Sequence, residues 1–284
     1  MRMGEFSWLT RRGDYILRGR AARLRPHSRD SFAEAISLFE HALALDPRSV
    51  EAQTQLAGSL AGLRVFYGAN DLVAADLARA DVLIGRALAA APRHSLAHHV
   101  KGQVLRAQNR WEEAIIEYET ALALNPNLVV ALNGLGWCKL FAGSVDEVIP
   151  LMQQAIRRSP RDPQMGTWYA AIGMVHLLQT RIDEAVVCLE KARSNSPDRP
   201  YNHLHLAAAY GLSGDLDRAA LELAEARRLD AGTLYSSIAQ LKAFPGAWWG
   251  VPNIRTLYEA TYFAGLRKAG MPETWPEPAA WSRS

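Results

Sequence analysis

Cysteine is nearly absent: the 284 residues hold only Cys138 and Cys188, both inside apolar helical stretches. That excludes a disulfide framework and leaves no thiol pair at metal-ligand spacing, and buried free thiols fit a reducing compartment. Long hydrophobic runs are missing too. The most apolar segments, 128–143 and 168–178, are broken by Lys139 or too short for a bilayer. The first residues lack the continuous apolar stretch of a secretory leader, so the expected location is the cytoplasm, without membrane contact. No nucleophile elbow, phosphate-binding glycine loop or catalytic carboxylate pair occurs, so neither enzymatic activity nor a cofactor is expected. His98 with His99, and His203 with His205, sit at spacings that face different sides of a helix. No carboxylate or thiol completes a ligand set with them, and no metal is expected.

Charge of one sign is scarce except at the start. The net charge is +3. Residues 1–29 hold eight arginines (2, 11, 12, 18, 20, 23, 25 and 29) against Glu5 and Asp14, so the rest of the chain is net acidic. This reads as an amphipathic helix with a solvated arginine face, and a nucleic-acid partner is not expected.

What is abundant is a repeated helical pattern in a chain that is 49% hydrophobic. Residues 95–127 hold two helical segments, with Gly102 in the first, Ala114, Tyr118 and Ala121 in the second, and a stop at Asn125-Pro126. Similar registers run near 16–49, 50–94, 129–162, 166–199 and 200–233. Small residues recur at Gly136, Gly173/Ala185 and Ala207/Ala219, where they let two helices approach closely. Gly134-Leu135-Gly136 lies mid-helix and reads as packing. Arg23 stands where the first repeat wants a small residue, so that end is expected to splay. The second repeat has 11 extra residues around 64–70, read as lengthened helices with Gly68 and Asn70 capping the turn. Pro150 is expected to kink or delay its helix. Leu234–Ala243 reads as a short helix, and Asn253 as the cap of a last amphipathic helix, Ile254–Ala269.

The period, about 34 residues, resembles the tetratricopeptide repeat. The resemblance implies an all-α, right-handed superhelical solenoid of about six helix-turn-helix repeats over 16–233. Residues 1–15 would be a basic tail, 234–272 a C-terminal helical cap and 273–284 a flexible tail. It also implies a concave groove lined by the first helix of each repeat, with His99, Gln103, Arg106, Asn133, Trp137, Phe141, Met174, Leu177 and Tyr201 turned inward. Only Arg106 and Asn133 suit a carboxylate clamp, so none is expected. A second resemblance lies in Tyr262–Glu273, which looks like the ending of bacterial proteins that carry a cyclase or winged-helix domain ahead of such repeats. The function these features imply is a non-catalytic scaffold or regulatory module holding a protein, peptide or helix. The alternatives are self-association through Trp248, Trp249, Tyr258 and Tyr262, or the detached regulatory half of a cyclase-like signalling protein.

Overall fold

A computed structural model describes the backbone of residues 3–25, 29–67, 71–230, 234–243 and 250–274, and their side chains except at 3–10, 29, 64–67 and 71–74. Gly68, Asn70, Trp248, Trp249 and the tail from 275 lie outside the described residues. Helices and turns make up the described chain, with no strand among the described residues. The chain divides into two compact units between Cys138 and Lys139.

The first unit is built from α1 (Met3–Leu24), α2 (Arg29–Leu45), α3 (Val50–Tyr67), α4 (Asp71–Ala90), α5 (Ser95–Ala107), α6 (Trp111–Leu124) and the start of α7 (Val129–Ala142). Within each pair the two helices pack against each other, and first helices lie beside first helices. The long α3 and α4 bear out the reading of extended helices in the second repeat. In the first repeat the structure differs from expectation. A Cβ on Gly19 would come within 2.5 Å of the Phe39 ring, so Gly19, one turn before Arg23, takes the small-residue position. The end does not splay: α1 packs along α2, and Arg23, one turn past Gly19, lays its guanidinium over the Phe32 ring of α2.

The second unit holds the end of α7, a 3₁₀ turn at Val145–Glu147, α8 (Val148–Arg158), α9 (Met165–Leu178), α10 (Ile182–Asn195), α11 (Pro200–Ser213) and α12 (Leu216–Leu229). After them come α13 (Ile238–Ala243), α14 (Pro252–Tyr258), a π turn (Glu259–Phe263) and α15 (Ala264–Lys268), the last three continuous. Pro150 delays its helix, as expected: it falls in the first turn of α8, where its missing N–H costs nothing. The last helix starts earlier than predicted. Val251, extended at φ −69° and ψ 164°, is its N-cap, with Pro252 in the first turn. Asn253 accepts only from the next backbone N–H, at 3.0 Å.

Two repeat stops have a common cause. Asp46 and Asn125, each the first residue after its helix, fold a side-chain oxygen onto the N–H two residues on, both at 3.1 Å. That turn competes with helix continuation. The turn between helices is also shared. Arg110, Ser144, Arg181 and Asp215 donate to the carbonyls of Leu105, Lys139, His176 and Tyr210 at 2.8–3.1 Å. The preceding residue is left-handed in every case: Asn109 (φ 62°), Gly143 (98°), Thr180 (59°) and Gly214 (88°). A β-branched residue pays about 1–2 kcal/mol for that conformation. Thr180→Gly is therefore expected to stabilise the second unit by about 1 kcal/mol, read as a higher urea midpoint.

A histidine stitch recurs in both units. His98 Nδ1 lies 2.7 Å from Glu117 Oε2 and its Nε2 2.9 Å from the Pro92 carbonyl. His203 repeats this with Glu222 at 2.6 Å and the Pro197 carbonyl at 2.8 Å. For His203 both partners are acceptors, so only an imidazolium satisfies both. For His203, burial opposes the charge, but the Glu222 and Pro197 hydrogen bonds and the charges of Glu222 and Glu225 outweigh it, and its pKa lies above the ordinary 6.5. The stabilisation is complete below about pH 6.5, the unfolded value, and disappears as pH rises through the raised folded value. Denaturant titrations at about pH 6 and 9 are expected to show this loss in the wild type and a flatter profile in His203→Gln.

Candidate functional site

The first helices carry the predicted groove residues, and the two units treat them differently. In the second unit the face is covered by the chain's own C-terminal segment. Val251 donates to the Phe141 carbonyl at 2.8 Å, and Gly250 is packed against the Phe141 backbone. The π turn packs on α9, where Met174 and Leu177 are fully buried. At α11 the helices meet backbone to backbone: a Cβ on Gly265 would sit 2.1 Å from the Ala208 carbonyl, and one on Gly211 2.1 Å from the Gly265 carbonyl. His205 Nδ1 meets the Tyr262 hydroxyl at 3.1 Å, their rings edge to face, and Tyr201 packs on the same imidazole. Phe141, Met174, Leu177 and Tyr201 therefore sit on a face already occupied. Tyr258 and Tyr262 are 2% and 3% exposed inside this unit, which leaves them no surface for a second copy.

In the first unit the corresponding face carries polar groups with few partners. His99, Gln103 and Arg106 follow one another at helical spacing along α5. Tyr118 of α6 passes its ring between α5 and α7. A Cβ on Gly102 would come within 2.9 Å of that ring, and one on Gly134 within 2.4 Å. The packing reading of Gly134 thus holds, and the two glycines let the phenol reach the first-helix layer. There it meets His99, ring centroids 5.5 Å apart. The Tyr118 hydroxyl, His99 Nδ1 and Asn133 Oδ1 are buried without a hydrogen-bond partner. Trp137, 8% exposed, is packed into the fold and presents no free aromatic face.

Arg23 joins this group from α1. Its Nη1 donates to Ser59 Oγ at 3.1 Å, and its guanidinium lies over the Phe32 ring at 4.9 Å. Gln103 Oε1 reaches the neighbouring Gly58 on α3, 3.5 Å from where its Cβ would stand. Burial holds the Arg23 pKa down at about 10, so it remains a cation at neutral pH. Burial, then the charges of Arg106 and Arg23, push His99 down to about 3, so its imidazole is neutral. Burial drives the Tyr118 phenol up, and lifts the Cys138 thiol to about 12. Both keep their protons, and the field they share is positive. Sequence reasoning placed His99, Gln103, Arg106 and Asn133 here but missed Arg23 and Tyr118. The signal for Arg23 was its misfit to the repeat pattern.

His98 and His203 are each engaged by a glutamate and a backbone carbonyl, and no group of three or more His, Cys, Asp or Glu that could hold a metal ion occurs among the described residues. No described helix is long and apolar enough to cross a membrane.

A family model described as TPR repeat matches residues 102–137, the segment running from Gly102 to Trp137. No curated protein matches the chain. Among solved structures, Pseudomonas aeruginosa pilF is similar at TM-score 0.57 and 19% identity, covering 81% of this chain and 96% of that one. A thermophilic TPR protein of Thermus thermophilus gives TM-score 0.56 at 20% identity, covering 70% of this chain and 98% of that one. Human IFIT1, solved as a dimer with m7Gppp-AAAA, gives 0.67 at 16% identity, covering 93% of this chain and 60% of that one. At these identities the likeness is one of fold.

Proposed function

From the premise that the chain is built of tetratricopeptide repeats, an interaction fold, we propose that it is a non-catalytic scaffold or regulatory module. It takes a peptide on the first-helix face of its first unit. The observation that carries this reading is the contrast between the units. In the second, the chain's own C-terminal helix holds the face. In the first, Gln103 and Arg106 are only partly buried, and the polar atoms beside them lack partners. A groove that its own chain fills is a poor receptor, whereas buried unpaired polar groups gain most from a ligand that pairs them.

The test is a peptide-library selection on the full chain, followed by the double variant Gln103→Ala/Asn133→Ala. Both residues are only partly buried, so helicity should hold while selected peptides lose about tenfold or more in affinity. Unchanged affinity in the double variant would place the binding surface elsewhere.

A further inference from the structure

The two cations on this face of the first unit have no anion among the described residues. Arg106 has no ion pair among the described residues, and Arg23 has only the Ser59 hydroxyl and the Phe32 ring face. No carboxylate acts on His99, Tyr118 or Arg23, and the charges felt by His99 are those of the two arginines. A guanidinium drawn out of water without a counter-ion is an unfavourable arrangement that a bound anion reverses. Beside it are a phenol hydroxyl that can donate and a neutral imidazole, both with buried unpaired atoms, and α7 adds Asn133, whose Oδ1 is likewise buried and unpaired. These groups come from α1, α5, α6 and α7, so the fold and not one helix end assembles them.

We propose that Arg23 and Arg106, with His99, Tyr118 and Asn133, form a receptor for an acidic side chain of the bound peptide. The planar guanidinium edges match a planar carboxylate. The phenol hydroxyl supplies a further donor, and the neutral imidazole adds no third charge. Guanidinium forks also pair with phosphate, which brings about −1.5 to −2 charges and three acceptor oxygens, so a phosphopeptide stands among the probes as the competing anion. Arg23 makes this site unlike a clamp assembled from inward positions of the repeats alone, since it lies one turn beyond Gly19, which takes the small-residue position of the first repeat. The proposal rests on the peptide-binding reading of the first unit and specifies its chemistry.

The test uses defined probes and the full chain. Acetyl-(Glu-Ala)₄-amide, whose blocked end removes the terminal carboxylate, is titrated calorimetrically beside acetyl-(Gln-Ala)₄-amide, acetyl-(phosphoSer-Ala)₄-amide and a single-stranded oligonucleotide. The glutamate peptide is expected to bind at least about tenfold more tightly than its glutamine counterpart. Arg106→Met and Arg23→Met should each abolish that preference, and the arginine Nε–H resonances of both should shift on titration. Arg23→Lys, which keeps charge but not the fork, guards against a folding failure and should weaken binding less than Arg23→Met. Equal affinity for glutamate and glutamine, no binding of the glutamate peptide at about millimolar concentration, or binding of the phosphopeptide or oligonucleotide alone overturns the proposal. If library peptides without acids bind and are lost with Gln103→Ala/Asn133→Ala, the acidic receptor fails while the peptide-binding face stands.

Discussion

Gly265→Val is expected to destabilise the second unit by about 3 kcal/mol and to lift the C-terminal helix from α11. The reason is geometric. The space a Cβ would need at Gly265 is taken by the Ala208 carbonyl, 2.1 Å away, and by backbone atoms that cannot rotate aside. The helices must separate, and the separation also removes the His205–Tyr262 hydrogen bond and uncovers the fully buried Met174 and Leu177. The urea midpoint should fall. Amide exchange should accelerate along 252–268 while the first unit keeps its protection. A variant with wild-type midpoint and protection would show that the close crossing of α11 and α15 does not hold this segment. The same experiment asks whether the uncovered face becomes a binding surface: the variant should take up apolar dye where the wild type does not.

The second large effect separates two roles of one side chain. Tyr118→Ala removes a fully buried ring wedged between Gly102 and Gly134, and the two glycines cannot fill the space. A loss of about 4 kcal/mol is expected, in the range for aromatic deletions in a core. Tyr118→Phe keeps the ring and removes only a hydroxyl that is buried and unpaired. Its stability should change by less than about 0.5 kcal/mol, or rise. Binding of the glutamate peptide should nevertheless weaken severalfold, because the hydroxyl is one of its donors. Thermal denaturation with and without peptide reads both quantities on the same protein. A Tyr118→Phe variant that loses stability but keeps its affinity would make the hydroxyl structural.

These two experiments act on features that differ in how visible they were in the sequence. Gly102 and Tyr118 stood out at once, because a helix repeats its face every 3.6 residues and a short period writes its packing into spacing. The Asp/Asn-Pro stops and the delayed start of α8 at Pro150 were legible for the same reason, being set by side chains acting within a few residues. The crossing at Gly211 and Gly265 had no such mark. Each glycine looked ordinary in its own helix, and only the return of the chain end brought one against the other.

Composition and spacing by themselves determined a helical repeat chain, the residues that close each repeat, the small positions where helices meet, and the existence of a last amphipathic helix. Tertiary structure decided where that helix goes: onto the first-helix face of the second unit, which turns Phe141, Met174, Leu177 and Tyr201 from candidate receptor into interior. It also decided that α1 engages Phe39 through Gly19 and not at Arg23, which frees Arg23 to join Arg106, His99 and Tyr118. The physical reason is range. Helix propensity, capping and periodicity act over one or two turns, whereas the choice between two faces of equal apolarity, or between two registers one turn apart, depends on steric fit between residues that only the folded chain brings together.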